Sequence, residues 1–200
     1  MSDSVVPNAD DFAVSDDAML QFMLLAGKLK TTLRTGWTRY AIPRPESVAD
    51  HTYRAALLGM FLAPQFGADP GKVAQMLLLH DLGEAIIGDV VIDRGAVDLP
   101  NIHQKHQEER VAMVDLLAMI GADHYIDLYD EYAAGETPEA SLARQMDRFE
   151  MGLQAREYEL AHHVDLDEFY VSTERRLRDP RLHRLLAKIR SYRGSARPKL

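Results

Sequence analysis

At 200 residues, with 46% apolar and 27% charged side chains, the chain has the length and composition of a single soluble domain with a sizeable core. It has no cysteine, which excludes disulfides and thiolate-bound metals, and no apolar run approaches the roughly 18 residues of a membrane span. A net charge of −8 disfavours a nucleic-acid polymer, whose backbone needs clustered Lys and Arg, while a small anion held by local cations remains compatible.

The chain opens with Asp3, Asp10, Asp11, Asp16 and Asp17 and no early Lys or Arg, the reverse of a secretory signal, so a cytoplasmic setting is expected. Residues 1–15 read as a flexible segment. A helix is predicted from Asp16 to Leu33, with Leu20, Met23, Leu24 and Leu29 on its apolar side. Thr35-Gly36 breaks it, and Pro43 and Pro45 keep the next stretch extended. Ser47-Val48-Ala49-Asp50 has the form of a capping box and starts a helix that runs to Pro64. Asp69-Pro70 supplies an N-cap and a first-turn proline for a helix ending near Asp81.

Gly83 and Gly88 punctuate a short turn, followed by an irregular segment to Pro100. Asn101 is expected to cap a long helix to Ile120, and Asp123 to Ala134 forms another, closed by Gly135. Thr137-Pro138-Glu139 opens the helix that carries Asp147. Final helices are expected over Asp167 to Arg178 and Arg181 to Tyr192, and residues 194–200 read as a flexible tail. The late Arg and Lys residues read as solvated helix faces. With helical period throughout, the expected fold is all-α: one helical bundle over residues 16–193.

His51, His80, Asp81 and Asp147 supply two imidazoles and two carboxylates from three predicted helices. Imidazole with carboxylate suits a borderline or hard divalent ion. Each residue alone has an ordinary reading. His51 and His80 continue apolar faces, where a buried His satisfied by one hydrogen bond is common. Asp147 sits among Leu142, Met146 and Phe149 and needs a counter-charge, which Arg144, Arg148 or a metal would provide. Adjacent residues on a helix point about 100° apart. His80 and Asp81 can therefore share an ion only near a helix end, where this pair lies. His103 and His106, spaced three apart among polar neighbours, read as a solvated first turn in preference to a second metal site. His162-His163 reads as a positive complement to a helix C-terminus.

The stretches Pro45-Glu46-Ser47-Val48-Ala49-Asp50-His51 and Leu79-His80-Asp81-Leu82-Gly83-Glu84-Ala85-Ile86-Ile87-Gly88-Asp89 resemble the HD-domain metal-dependent phosphohydrolases. More narrowly they resemble the 5′-deoxynucleotidase branch, which removes phosphate from deoxynucleoside 5′-monophosphates. The likeness reaches back to Arg34-Thr35-Gly36-Trp37 and forward through Met146-Asp147-Arg148-Phe149-Glu150. It implies an HD-type helical bundle, with His51, His80, Asp81 and Asp147 holding one divalent ion between helices. Mn²⁺ and Co²⁺ come first, with Mg²⁺, Fe²⁺ and Zn²⁺ also compatible. It further implies a nucleotide substrate and a homodimer.

Glu84 follows Asp81 by three residues and His80 by four, so a continuing turn puts all three on one side. Gly88 leaves Asp89 free to turn back towards the ion. Monoester hydrolysis needs an oriented water, charge relief and a proton for the leaving alkoxide. The resemblance makes Glu84 and Asp89 catalytic, with Asp89 assigned to water positioning and Glu84 to acid–base work; Glu84 as an orienter of a ligating His is the alternative. Trp37, the single tryptophan, reads either as a core plug or, by the resemblance, as a wall that excludes a 2′-hydroxyl. Some relatives carry Arg just before this Trp to hold phosphate. Gly36 stands there in this chain, which leaves Arg34 or Arg39 for that contact. The rival functions are a phosphoesterase acting on ribonucleotides, cyclic nucleotides or other phosphate esters, and a non-catalytic nucleotide-sensing module with a structural metal.

Overall fold

The computed structural model describes residues 14–89 and 99–194. Helices α1 (Asp16–Gly27), α2 (Thr35–Thr38), α3 (Val48–Leu62), α4 (Pro70–Leu79) and α5 (Glu84–Ile87) precede α6 (Leu99–Ala118) and α7 (Tyr125–Ala134). Then come α8 (Pro138–His162), α9 (Asp167–Glu174) and α10 (Pro180–Ser191). Among the described residues the only strand-like pairing is an isolated bridge between Leu33 and Ser47, and the fold is all-α.

Local chemistry sets most boundaries. Ser47 Oγ accepts from the Asp50 amide while Asp50 Oδ2 accepts from the Ser47 amide, so the capping box is complete. Asp69 caps α4 ahead of Pro70, and Thr137 caps α8 ahead of Pro138. Gly135 ends α7 in the left-handed region that glycine enters most cheaply.

Several expectations need correction. The first helix stops at Gly27 and tightens into a 3₁₀ turn over Lys28–Lys30 instead of reaching Leu33. The α3 helix ends at Leu62, before Pro64, and α6 begins at Leu99, so Asn101 lies inside it and does not cap it. Thr35-Gly36 lies within a one-turn helix. The two last helices end at Glu174 and Ser191. The expected termini fall mostly outside the described residues, as do residues 90–98 of the irregular segment and the side chain of His103. Ser15, placed in the flexible segment, accepts from the Ala18 amide as the cap of α1. His106, His162 and His163 are exposed.

The 25-residue α8 is the central member, packing on α3, α4, α7, α9 and α10. Its buried face (Leu142, Ala143, Met146, Phe149, Met151, Ala155) joins Ala55, Val73, Met76, Leu77, Phe169 and Leu182 in one core. A second core groups Val48, Leu82, Met113, Leu116 and Tyr129 beneath α6 and α7. Each fully buried Leu, Met or Phe contributes about 1.5–3 kcal/mol of transfer free energy. Gly59 lets α3 and α4 come close, since a Cβ there would meet Leu77 Cδ1 at 2.4 Å and Val73 Cγ1 at 2.8 Å. This contact of α3, α4 and α8 carries His51, His80 and Asp147 to one place.

Candidate metal centre

His51 is the fourth residue of α3 and is completely buried. Its Nε2 lies 3.3 Å from Asp147 Oδ1, in the middle of α8, and 3.9 Å from Asp81 Oδ2. His80 is the C-cap of α4, and the chain turns through Asp81 to Gly83 before α5 starts. Because the pair occupies a helix end, His80 Nε2 comes within 3.1 Å of Asp81 Oδ2. The two imidazoles stand with centroids 5.5 Å apart. All four expected ligands are thus brought together from three elements that sequence distance separates.

The two histidines are wired alike. His80 Nδ1 lies 2.6 Å from the Leu77 carbonyl, and His51 Nδ1 contacts Glu150 Oε2. Both partners accept hydrogen bonds and cannot donate while Glu150 is ionised, so each Nδ1 carries the proton. That leaves both Nε2 atoms facing the carboxylates, buried and without a hydrogen-bond partner. Two such atoms beside two carboxylates fit a borderline or hard divalent ion, whose charge would satisfy all four.

The electrostatics agree. Burial and the nearby Arg34 push the His51 pKa down, but the adjacent carboxylates of Asp147 and Glu150 outweigh them and raise it to about 9. Burial pushes Asp81 up, yet His80, Arg34 and His51 hold it well below the usual carboxylate range. Asp147 behaves likewise, burial being outweighed by Arg148 and the two histidines. Both carboxylates are thus held ionised by the histidines and arginines that flank them.

Of the two arginines expected near the phosphate, Arg34 lies against the cluster. Its Nη1 donates to Asp81 Oδ2 at 3.1 Å, whereas Arg39 is exposed at the end of α2. On the other side of the cluster Arg148 Nε lies 3.3 Å from Asp147 Oδ2, and Tyr132 donates to the same oxygen at 3.5 Å. Glu84 is buried at the first position of α5, directly after the Asp81 turn. Gly88 has a φ of 76°, and the Asp89 carboxylate reaches the start of α2. Its Oδ2 accepts from the Thr35 amide at 2.6 Å and from the Thr35 hydroxyl at 3.1 Å, capping α2 next to Arg34.

Trp37 takes the core position of its two sequence readings. It is 1% exposed, stacks on Phe169 at 4.1 Å, meets Tyr158 edge-on, and donates from Nε1 to Glu46 Oε1 at 2.8 Å. With its ring enclosed, it shapes the loop behind Arg34. Burial and the neighbouring Glu150 push the Glu46 pKa up to about 7 against His51, Arg34 and Trp37. Sequence reasoning missed the parts played by Glu46, Tyr132, Glu150 and Arg54. For Glu150 a signal existed, since it follows Asp147 by three residues on one face of an otherwise apolar stretch.

Comparison with known proteins identifies the family. The HD domain family matches residues 26–189. A 5′-deoxynucleotidase HDDC2 from Danio rerio is 35% identical over 183 residues, covering 89% of each chain. The crystal structure of PH0347 from Pyrococcus horikoshii OT3 is similar with a TM-score of 0.72 at 31% identity, covering 86% of this chain and 98% of that one. A predicted metal-dependent phosphohydrolase from Magnetospirillum magnetotacticum MS-1 gives a TM-score of 0.64 at 29% identity, covering 86% and 89%. From residue 26 to residue 189 this chain belongs to the HD domain family.

Proposed function

We propose that the protein is a metal-dependent phosphomonoesterase that hydrolyses deoxyribonucleoside 5′-monophosphates to deoxynucleoside and phosphate. The observation that carries this reading is the pair of inward-facing Nε2 atoms of His51 and His80, set against Asp81 and Asp147. The 5′-deoxynucleotidase relative, similar along nearly its whole length, supports the substrate class. His51, His80, Asp81 and Asp147 hold one divalent ion, Mn²⁺ or Co²⁺ first. A bound ion at such a site supplies water activation and charge relief on the phosphoryl oxygens.

The chain's own groups do the remainder. Arg34 presents its guanidinium to the phosphate oxygens beside Asp81, and half-buried Arg148 adds a second cation next to Asp147. Asp89 orients the attacking water, and Glu84 exchanges the proton needed by the leaving 5′-oxygen. Phosphate release from deoxy- and ribonucleoside monophosphates, cyclic nucleotides and a generic ester, each with and without chelator, tests this reading. Chelator-sensitive turnover confined to deoxynucleotides is expected. A preference for another ester, or no turnover of any, would replace it with one of the rival functions.

Deoxyribose selection rests on the loop that Trp37 anchors. Truncating a buried Trp to Ala costs about 3–5 kcal/mol, so Trp37→Phe is the more informative change. It should raise the ribo-to-deoxy ratio of kcat/KM by relaxing that loop. An unchanged ratio in the folded variant would place the selectivity elsewhere. Leu20, Met23 and Leu24 of α1 are each more than half exposed, an apolar surface consistent with a homodimer. Light scattering should then give twice the 22.5 kDa chain mass, and a single-chain mass at micromolar concentration would contradict it.

A further inference from the structure

We propose that Glu150 is a positioning residue for the metal centre. Clamped by Arg54, it fixes the His51 imidazole so that Nε2 faces the ligand cluster. This rests on the metal-centre reading above.

Asp147 and Glu150 stand three apart on α8 and grip opposite nitrogens of one imidazole. Asp147 Oδ1 lies at Nε2, and Glu150 Oε2 at Nδ1. Glu150 is wholly buried, and its remaining oxygen is taken by a guanidinium. Oε1 accepts from Arg54 Nε at 2.7 Å and lies 2.6 Å from Arg54 Nη2. Arg54 belongs to α3, three residues after His51, and reaches α8 twice more. Its Nη2 donates to Gln154 and its Nη1 donates to Glu157 Oε2 at 2.7 Å. One guanidinium thus bolts α3 to α8 at the level of the ligand, in a chain of contacts from buried His51 to half-exposed Glu157.

An imidazole without a partner at Nδ1 can rotate about χ2 or adopt the other tautomer, and either turns a lone pair away from the ion. An acceptor that holds the Nδ1 proton prevents both, and losing such a partner typically weakens metal binding 10–100-fold. His80 obtains this restraint from the backbone carbonyl of Leu77. His51 depends on a side chain for it, which makes Glu150 and its clamp open to mutation. Stability alone is a poor explanation for the arrangement, because a buried ion pair is often matched or bettered by apolar residues of similar volume.

The test is a Mn²⁺ titration of the metal-free protein, reading free Mn²⁺ by electron paramagnetic resonance well below each variant's metal-free Tm. Glu150→Gln should weaken the dissociation constant about 10–100-fold. Glu157→Gln, which removes only the outermost contact, should bind like wild type. Should Glu150→Gln fail to fold, Arg54→Gln releases the carboxylate from its clamp, and a weakening in the same direction is expected. Wild-type affinity in a folded Glu150→Gln or Arg54→Gln protein, whatever its Tm, would overturn the proposal and leave Glu150 a structural residue. Absence of binding by wild type itself would overturn the metal centre together with it.

Discussion

Replacing His51 by Ala, or Asp147 by Asn, should strip the protein of its ion and abolish phosphate release. Each change removes one of four donors that the fold delivers from α3, the end of α4 and α8. The loss should exceed the 10–100-fold that accompanies removal of an orienting partner. His51→Ala also empties a completely buried position between two carboxylates, and Asp147→Asn leaves Arg148 beside a neutral amide. Thermal denaturation gives a second readout. A ligand at 100 times its dissociation constant stabilises the native state by about 2.7 kcal/mol, so Mn²⁺ should raise the wild-type Tm but hardly move that of either variant. A variant that keeps its ion and its turnover would remove that residue from the ligand set.

Glu84→Gln and Asp89→Asn should do the opposite: keep the ion and lose about 10²-fold or more in kcat, the usual contribution of a positioned acid or base. The two differ in what else they disturb. Glu84 is buried at the start of α5, so its amide variant isolates the loss of a titrating proton. Asp89 also caps α2 through Thr35, immediately after Arg34. An Asn carbonyl can still accept from the Thr35 amide, so Asp89→Asn preserves the cap while removing the charge. A fall in kcat at constant KM would support water positioning. A rise in KM with kcat intact would mean that Asp89 serves the reaction only by holding Arg34. Should either variant lose its ion yet recover full turnover in excess metal, that residue is a ligand or an orienter.

What the sequence made legible was governed by local chemistry. Ser47 with Asp50, Asp69 with Pro70, and Thr137 with Pro138 begin helices because their donors and acceptors lie within one turn. Asp81 could join His80 in one site because α4 ends at Leu79 and the pair sits at that helix end. Non-local contacts were hidden. Thr35 and Gly36 look like a break in sequence, but the carboxylate that makes them a helical turn is 54 residues away. Trp37 becomes a core residue through Phe169 and Tyr158, which only folding brings to it. The approach of Arg34 to Asp81 depends on the path of a loop pinned by the Leu33–Ser47 bridge. Glu150 lay between these cases: its spacing from Asp147 was visible, whereas its partner His51 is 99 residues distant.

The central claim, that His51, His80, Asp81 and Asp147 form one divalent-metal site, is tested most directly by anomalous diffraction from crystals of the Mn²⁺-loaded protein. Data collected on either side of the manganese absorption edge should show one strong peak per chain, bounded by the Nε2 atoms of both histidines and by oxygens of both aspartates. A peak ligated by other residues, or none in crystals of protein that hydrolyses deoxynucleotides, would contradict it.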